Sequence, residues 1–302
     1  MAIIVSTSFD PYFNLATEEY FLRNNIIDED LIFIWRSNKA FVLGRNQNPF
    51  IEINPNYFNK DIPIIRRISG GGTIYQDINT LNFTYITNSY ANKINDYEYF
   101  LKPIINALKK VGLTVKFKPK SHLFIQDFKI SGNAQAFINN KLLHHGTLLF
   151  NTDLNIINDA LVNFQAQADG SHIVSNKQLV GNLIDFIPNK YSIEELSNLI
   201  LDSILNKKKI LDTKYYLSEN DISNIYELVI NKYKTWEWNF GKTKFFEITI
   251  MINNNLEKIS VDHGIITGVD NSIHSELINC KYFSEEYFNI LKSFINNKLE
   301  CR

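Results

Sequence analysis

Cysteine is nearly absent from this chain of 302 residues, which contains two. Cys280 and Cys301 both lie near the C-terminus, so a disulfide framework and a CxxC metal or redox site are excluded. The chain before residue 280 has no thiol that could serve as a nucleophile. We therefore expect a protein of a reducing compartment, whose N-terminal region cannot form an acyl-cysteine intermediate.

Long apolar runs and an excess of charge of one sign are also missing. No segment approaches the roughly 18 apolar residues of a membrane helix, and MAIIVSTSFD lacks the basic start and small-residue cleavage site of a secretory signal. Lysine and arginine together number 31 and aspartate and glutamate 32, so bulk charge favours neither nucleic acid nor a membrane surface. The sequence predicts a cytoplasmic protein with no nucleic-acid or membrane partner, and a monomer by default.

The composition is that of a folded chain, with 45% hydrophobic and 21% charged residues. Strand-like runs separated by Gly, Asn and Pro predict a large sheet, and these runs are AIIVS, LIFIWR, AFVLG, PIIRRIS, LNFTYIT and KLLHHGTLLF. Helices are predicted after the cap Asp10, with Pro11 in the first turn, and after Ser192. Further helices are predicted over Asp96–Val111 and Glu219–Lys234.

At residue 245 the sequence pattern restarts. Three strand-like runs, FFEITIMI, EKISVDHG and IITGVD, precede a helix whose apolar stripe is Phe283, Tyr287, Ile290, Leu291 and Phe294. The segment TWEWNFGKTK comes before them and contains Gly241, which ends the preceding helix. We predict a large domain over residues 1–244 and a small domain over residues 245–302.

Three consecutive glycines lie between two strand-like segments in RRISGGGTIYQD. Without Cβ atoms, their backbone N–H groups can approach an anion or a thin ligand closely. Arg66 and Arg67, just upstream, offer planar forks for phosphate or carboxylate. The run is neither a Walker P-loop nor a dinucleotide fingerprint, because no Gly-Lys-Ser/Thr follows, the glycines are contiguous and no helix opens after them. It indicates an anion-binding turn of another kind.

Lys129 in KISGNAQ lies on a predicted strand beside a small-residue turn, where a lysine can deliver a point charge to a developing oxyanion or phosphate. His144 and His145 are adjacent on another predicted strand, so they point to opposite faces and cannot both bind one metal in regular geometry. At least one of them is expected to be a structural histidine. The sequence leaves any metal ligands undetermined.

Six segments together carry a family resemblance: GRNQNPFIEIN, RRISGGGTIYQD, LNFTYI, KISGNAQ, HHGTLLFNTDL and WEWNFGKT. They resemble the successive motifs of lipoate-protein ligases and span most of residues 10–245. The C-terminal region resembles the accessory domain of the long, self-sufficient ligases in position and size rather than in sequence. The resemblance implies an α+β fold of the biotin/lipoyl-ligase type, with a mixed sheet flanked by helices, plus a small α/β accessory domain.

The resemblance implies an ATP-dependent ligation in two steps. Lipoate carboxylate attacks the α-phosphorus of ATP, with Mg²⁺ as the accompanying ion and no tightly bound metal, and gives lipoyl-adenylate and pyrophosphate. A lysine amine of an acceptor then displaces AMP. The implied acceptors are the apo lipoyl domain of a 2-oxoacid dehydrogenase E2 subunit and the glycine-cleavage H protein.

Site residues are implied by the same resemblance. Lys129 is the expected catalytic residue, bridging the lipoate carbonyl and the adenylate phosphate. The expected ATP-binding residues are Lys129, Arg67, Gly72, Thr73, Ile74 and Tyr75. The expected lipoate-binding residues are Lys129, Ser69, Gly70 and Gly71, which would border a narrow tunnel that side chains would block. Further candidates are Arg45, Gln76, His145 and Asn182.

The chain departs from the family pattern at several positions. Pro119-Lys120-Ser121-His122 stands where the ligases usually carry Gly-Arg-Asn-Asp, so a carboxylate is missing, and histidine suits Mg²⁺ poorly. Gln76 stands where His is frequent, and Asn79-Thr80 replaces Gly-Asn. Lys177 is the only Lys or Arg in ADGSHIVSNKQLVGNL. These departures predict a different adenylation rate or acceptor preference.

Two alternatives remain open at this stage. An ATP-independent octanoyl or lipoyl transferase of the same fold would need a nucleophilic cysteine that the chain lacks before residue 280. The cysteine-free, lysine-assisted type normally has no accessory domain. Ser121 and His122 motivate the second alternative, a specialised lipoate-binding paralogue without catalysis. A biotin ligase is disfavoured, because its Gly-Arg-Gly-Arg-type loop is missing.

Overall fold

The fold is described from a computed structural model, which describes residues 1–58, 61–118, 121–161, 168–169, 175, 178–205, 214–252 and 255–296. Its fourteen strands in these ranges are β1 Ala2–Val5, β2 Leu31–Trp35, β3 Ala40–Leu43, β4 Ile64–Arg66, β5 Ile74–Gln76, β6 Thr80–Thr87, β7 Lys116–Lys118, β8 His122–Ile125, β9 Phe128–Ile138, β10 Lys141–Leu149, β11 Ala168–Asp169, β12 Phe246–Ile252, β13 Asn255–Asp262 and β14 Ile265–Val269. The helices are α1 Pro11–Arg23, α2 Pro49–Glu52, α3 Tyr97–Lys110, α4 Leu154–Ala160, α5 Ile193–Leu205, α6 Glu219–Leu228, α7 Trp236–Asn239 and α8 Glu285–Asn296. None of the helices within the described ranges is long and apolar enough to cross a membrane.

The strands form three sheets. The large sheet has seven strands in the order β1-β2-β6-β10-β9-β8-β7, in which β1 and β2 are parallel and the other neighbours are antiparallel. A small sheet of three strands, β4-β3-β5, carries the glycine run between β4 and β5. The third sheet has the order β11-β12-β13-β14. This is a mixed α+β architecture, as the resemblance implied.

Local sequence signals explain where the helices begin. The Asp10 carboxylate accepts a hydrogen bond from the Tyr12 N–H at the start of α1, and Pro11 occupies the first turn. Ser192 and Glu195 form the expected capping box of α5. The helix predicted over Glu219–Lys234 is not uniform, because α6 ends at Leu228 and the chain continues as a π-helical turn, Val229–Tyr233.

The large sheet has a core on each face. On one face, β6, β9 and β10 pack against α3 and α5 through residues such as Phe83, Phe100 and Leu196. On the other face, α1 and residues of β3 and the β4–β5 connection pack against β2. Helix α1 is buried on nearly all sides rather than along one stripe. It lies between strands β6 and β10 of the large sheet on one side and α6 with the π-helical turn on the other, so its polar side chains need partners in the interior.

Strands β12–β14 and α8 surround an aromatic core of their own. Tyr282, Phe283 and Tyr287 belong to it, and so does Phe50 of α2. Strand β11 pairs with β12, so chain segments before residue 245 take part in both the sheet and the core of this unit. The division at residue 245 stays a prediction. Phe294, predicted to lie on the apolar stripe of the last helix, is outside the described side chains.

Candidate functional site

Two cavities meet between β9 and β10 of the large sheet and the glycine run of the small sheet. The first cavity lies against Tyr75 and the apolar side chains Leu149, Leu161 and Val180. The second cavity lies against the guanidinium-bearing Arg67 and the side chains Leu15, Trp35, Val42, Gln76, Asn82 and His145. The wall shared by the two cavities consists of Thr73, Ile74, Lys129, Gly132, Thr147 and Ser175.

Close backbone packing fixes the glycine run at this wall. Gly71 has a φ of 89°, which a residue with a side chain rarely adopts. A Cβ on Gly44 would lie 1.9 Å from the carbonyl oxygen of Gly71, so the turn after β3 tolerates no side chain there. A Cβ on Gly70 would meet no atom within 4 Å. The lack of a side chain is therefore a steric requirement at Gly44 and Gly71, and not at Gly70.

The two adjacent arginines have different roles. Arg66 is fully buried and donates through its guanidinium to the carbonyl oxygens of Gly44, Arg45, Gln47, Trp238 and Asn239. The expectation that Arg66 offers a fork to phosphate or carboxylate is wrong, because backbone carbonyls occupy that fork and no solvent reaches it. Its function is to join the turn after β3 to α7.

Arg67 holds the glycine run and lines the second cavity. It donates to the Ser69 hydroxyl at 2.9 Å and to the carbonyl oxygens of Val42, Gly70 and Gly72 at 3.0, 2.6 and 2.9 Å. Burial lowers the pKa of Arg67 to about 10, and the Glu18 carboxylate partly opposes this shift. At neutral pH the guanidinium is still charged, so the run is wrapped around a buried cation.

Lys129 lies in the shared wall, on β9. Its backbone N–H donates to the Leu179 carbonyl and its carbonyl accepts from the Gly181 N–H, which fixes the base of the side chain. Among the residues that the structure describes, the ammonium has no hydrogen-bond or ion-pair partner. Burial, and then the nearby charge of Arg67, lower the pKa of Lys129 to about 8. The amine is thus a desolvated positive charge available to both cavities.

His122 faces the second cavity across from Lys129, at the start of β8. Its ladder partner is Gly132 on β9. Burial, followed by the charge of Lys129, lowers the pKa of His122 to about 4, so the ring is neutral at pH 7. The preceding residue, Ser121, has a φ of 96°, and the Ser121 carbonyl accepts a hydrogen bond from the Asn133 side-chain amide. A carboxylate that could compensate Lys129 is therefore absent at this position.

The adjacent histidines point to opposite faces of β10, as predicted. His144 stacks on Phe100 with ring centroids 4.5 Å apart, and burial lowers its pKa well below the usual range. His145 donates from Nδ1 to the Glu18 carboxylate at 3.0 Å, and its Nε2 lies 2.6 Å from the Ser69 hydroxyl. His144 is therefore a core residue, whereas His145 connects α1 to the glycine run.

No group of three or more His, Cys, Asp or Glu side chains within the described ranges could hold a metal ion. Glu52 is an acidic residue in the lining of the first cavity, and its carboxylate already accepts from the Ser175 N–H and hydroxyl. The described side chains therefore do not fit a dedicated divalent-cation site.

The sequence matches the family model of the lipoyl protein ligase A/B catalytic domain over residues 10–205. The chain belongs to this family.

Individual relatives of this lipoyl ligase family resemble the chain over most of its length. The chain is 32% identical to lipoate–protein ligase 1 of Staphylococcus aureus, over 86% of this chain and 81% of the relative. It is 30% identical to the lipoate-protein ligase LplJ of Bacillus subtilis, over 79% of this chain and 73% of the relative. These relatives place the chain among the lipoate-protein ligases rather than in another branch of the superfamily.

Solved structures show the same fold. A lipoate-protein ligase A bound with ATP matches with a TM-score of 0.66 and 24% identity, over 79% of this chain and 97% of that chain. LipL1 of P. falciparum in complex with lipoate matches with a TM-score of 0.64 and 24% identity, over 98% of this chain and 97% of that chain. A chain from a structural analysis of the bi-partite lipoate protein ligase of Thermoplasma acidophilum and its E2 lipoyl domain matches with a TM-score of 0.65 and 23% identity, over 79% of this chain and 95% of that chain.

Most of the residues predicted from the lipoate-ligase resemblance lie at the two cavities. They are Arg67, Gly71, Gly72, Thr73, Ile74, Tyr75, Gln76, Lys129 and His145. Ser69 and Gly70 line neither cavity, although Ser69 contacts both Arg67 and His145. Arg45 is exposed. Which substrate, ATP or lipoate, each of these residues binds stays a prediction.

Asn182 lies away from the two cavities. Its side chain accepts from the Thr152 N–H and donates to the Thr152 carbonyl, so it supports the turn after β10. Lys177, Pro119 and Lys120 lie outside the described residues.

Two residues of the site, Glu18 and Ser175, have no clear signal in the sequence. Glu18 lies in sequence between Thr17 and Glu19, and the only local signal of its burial is the apolar set Leu15, Phe21 and Leu22 one helical turn away. Ser175 accepts from the Thr73 N–H at 3.0 Å and from the Gln47 amide at 2.9 Å. No sequence pattern links Ser175 to residues more than a hundred positions earlier.

Proposed function

We propose that this protein is an ATP-dependent lipoate-protein ligase, which converts lipoate to lipoyl-adenylate and transfers the lipoyl group to a lysine of an acceptor protein. The observation that carries the proposal is the position of Lys129, in the wall shared by two cavities. One desolvated ammonium can there face the carboxylate of one substrate and the phosphate of the other. The similarity to lipoate-protein ligases at 32% and 30% identity supports it.

The first step joins two anions, and their repulsion has to be offset. A lipoate oxygen attacks the α-phosphorus of ATP, the bond to the β-phosphate oxygen breaks, and pyrophosphate leaves. Lys129 stabilises the negative charge that develops between the two groups, and burial strengthens this interaction. Arg67 adds a second buried charge behind the glycine run. Because no group of three or more His, Cys, Asp or Glu side chains within the described ranges could hold a metal ion, the proposal assigns no protein ligand to the ion that accompanies ATP.

The second step is an aminolysis. The lysine amine of the acceptor attacks the carbonyl carbon, the bond between that carbon and the phosphate oxygen breaks, and AMP leaves with Lys129 beside its phosphate. The acceptors are apo lipoyl domains of E2 subunits or a glycine-cleavage H protein; an E2 lipoyl domain is the partner named for the archaeal ligase of the same fold. Water must be kept out, because it would hydrolyse the mixed anhydride.

The proposed residue roles are those that the resemblance to the ligases implies. Thr73, Ile74, Tyr75 and Lys129, which line the first cavity, bind ATP, and Arg67 and Gly72 complete the nucleotide site from the adjoining second cavity. Gly71 borders the lipoyl chain in the second cavity, and Ser69 and Gly70, which line neither cavity, support this border through the glycine run. Residues 1–244 form the catalytic domain and residues 245–302 the accessory domain.

One assay tests this function against the alternatives. Purified protein is mixed with lipoate, Mg²⁺ and an apo lipoyl domain or apo H protein, with and without ATP, and the acceptor mass is followed. We expect a mass increase of one lipoyl group that depends on ATP. A mass increase without ATP from free lipoate would contradict the ligase. Transfer only from an acylated carrier protein would identify a transferase, and lipoate binding without product would identify a binding paralogue.

A further inference from the structure

Two buried amide side chains form part of the second cavity. Gln76 at the end of β5 is 0% exposed and Asn82 on β6 is 2% exposed. Both line the second cavity and not the first. They therefore lie in the part of the second cavity that is away from the wall shared with the first cavity.

These amides have polar atoms without partners. The Nε2 and Oε1 atoms of Gln76 and the Nδ2 atom of Asn82 make no hydrogen bond with any residue that the structure describes. Buried amide groups are normally paired, because leaving one unpaired costs the full desolvation of that group. Unpaired donors on a cavity wall are thus positioned for atoms of a ligand.

Apolar side chains also form part of the wall of the second cavity. Leu15, Trp35 and Val42 line the second cavity, and each is at most 4% exposed. Aliphatic side chains suit the methylene groups of an acyl chain, and the indole of Trp35 suits a polarisable sulfur atom. The pocket therefore combines an apolar channel with amide donors, which a purely hydrocarbon chain cannot satisfy.

We infer that Gln76 and Asn82 select the sulfur-containing end of the acyl substrate, so that the protein prefers a dithiolane ring to a hydrocarbon end of equal shape. The inference rests on the proposed function for the identity of the acyl chain. Divalent sulfur accepts weak hydrogen bonds from N–H donors, and a methyl or methylene group accepts none. With the carboxylate at Lys129, the far end of the chain lies among these amides. A hydrocarbon end buries them unpaired.

The test compares three acids by calorimetric titration: lipoate, its carbocyclic analogue with cyclopentane in place of the dithiolane ring, and octanoate. We expect the wild-type protein to bind lipoate about tenfold more tightly than the carbocyclic analogue. Gln76→Leu should reduce this ratio to about threefold or less, chiefly through tighter binding of the analogue. Gln135→Leu removes a paired amide on β9 that lines neither cavity, and it should leave the ratio at the wild-type value.

Equal affinity of the wild-type protein for lipoate and the carbocyclic analogue would overturn the inference, and this comparison needs no variant to fold. An unchanged ratio in folded Gln76→Leu would overturn it as well. Formation of lipoyl-adenylate is measured in parallel, because it separates the two proposals. Adenylation without sulfur selectivity rejects the inference alone, whereas sulfur-selective binding without adenylation rejects the proposed function alone.

Discussion

The hydroxyl oxygen of Ser69 lies 2.6 Å from Nε2 of His145, and the other ring nitrogen of that histidine contacts the Glu18 carboxylate. The order of residue types is that of a hydrolase triad. Here the serine oxygen also accepts from the Arg67 Nε–H at 2.9 Å, and Ser69 lines neither cavity. The arrangement therefore serves to position the glycine run rather than to supply a nucleophile.

Glu18 is the buried anion on which this arrangement depends. Its carboxylate also accepts from the Thr84 hydroxyl at 2.5 Å, and the residue is 1% exposed. Glu18→Ala would leave this hydroxyl and His145 without their acceptor, so we expect the free energy of unfolding to fall by about 3 kcal/mol. Urea denaturation measures it. The control Glu227→Ala, at an exposed position, should change the free energy of unfolding by less than about 0.5 kcal/mol. An equally small effect of Glu18→Ala would contradict the role of Glu18 as the buried acceptor for Thr84 and His145.

Lys129 is expected to stabilise the transition state of adenylation. Lys129→Ala should keep the fold and lower the rate of lipoyl-adenylate formation by about 10²- to 10³-fold, the usual loss when one buried electrostatic contact is removed. The rate of pyrophosphate release in the presence of lipoate measures this step. Lys116→Ala, on exposed β7, serves as the control and should retain wild-type activity. Near wild-type turnover in Lys129→Ala would disprove the assignment.

The lowered pKa of Lys129 predicts a pH limit. Its ammonium form is present below a pKa of about 8 and is lost as pH rises through that value, well before an ordinary lysine deprotonates. We expect kcat/KM for adenylation, which reports the free enzyme, to fall above about pH 8. The measurement omits the acceptor, so that the titration of its lysine does not contribute. A profile that stays flat up to about pH 10 would contradict the prediction.

A substitution at His122 should change the pH above which kcat/KM for adenylation falls. His122→Asp places a carboxylate near Lys129, and an opposite charge favours the ammonium form and raises its pKa. We therefore expect the alkaline fall in kcat/KM to move to higher pH. His122→Asn, which introduces no charge, should leave it near the wild-type position. If kcat/KM falls at the same pH in the wild type, His122→Asp and His122→Asn, residue 122 does not influence the pKa of Lys129.

Much of the fold could be predicted from local signals. The Asp10 cap, the Ser192–Glu195 capping box and the opposite orientations of His144 and His145 on β10 depend on residues within a few positions, and the structure has all three. The boundary of the long helix after Glu219 was less predictable. Its last turn becomes π-helical where Lys232 and Tyr233 reach the buried Glu19 carboxylate, at 2.6 and 2.7 Å.

The site shows why local signals are not sufficient. Arg66 and Arg67 are neighbours of the same type, yet the first binds backbone carbonyls of α7 and the second lies at a cavity. The difference is set by Trp238 and Asn239, more than 170 positions away in sequence. The burial of Glu18 likewise depends on a histidine of β10. Long-range contacts of this kind follow from the packing of the three sheets and have no signature in a single segment.

The most direct measurement of the central claim follows oxygen from lipoate to AMP. Lipoate labelled with ¹⁸O in both carboxylate oxygens is incubated with ATP, the protein and an apo lipoyl domain, and the AMP is analysed by mass spectrometry. If the carboxylate attacks the α-phosphorus and the amine then attacks the carbonyl carbon, each AMP carries one ¹⁸O atom. Lipoylated acceptor accompanied by unlabelled AMP, or by no AMP, would contradict the proposed lipoyl-adenylate.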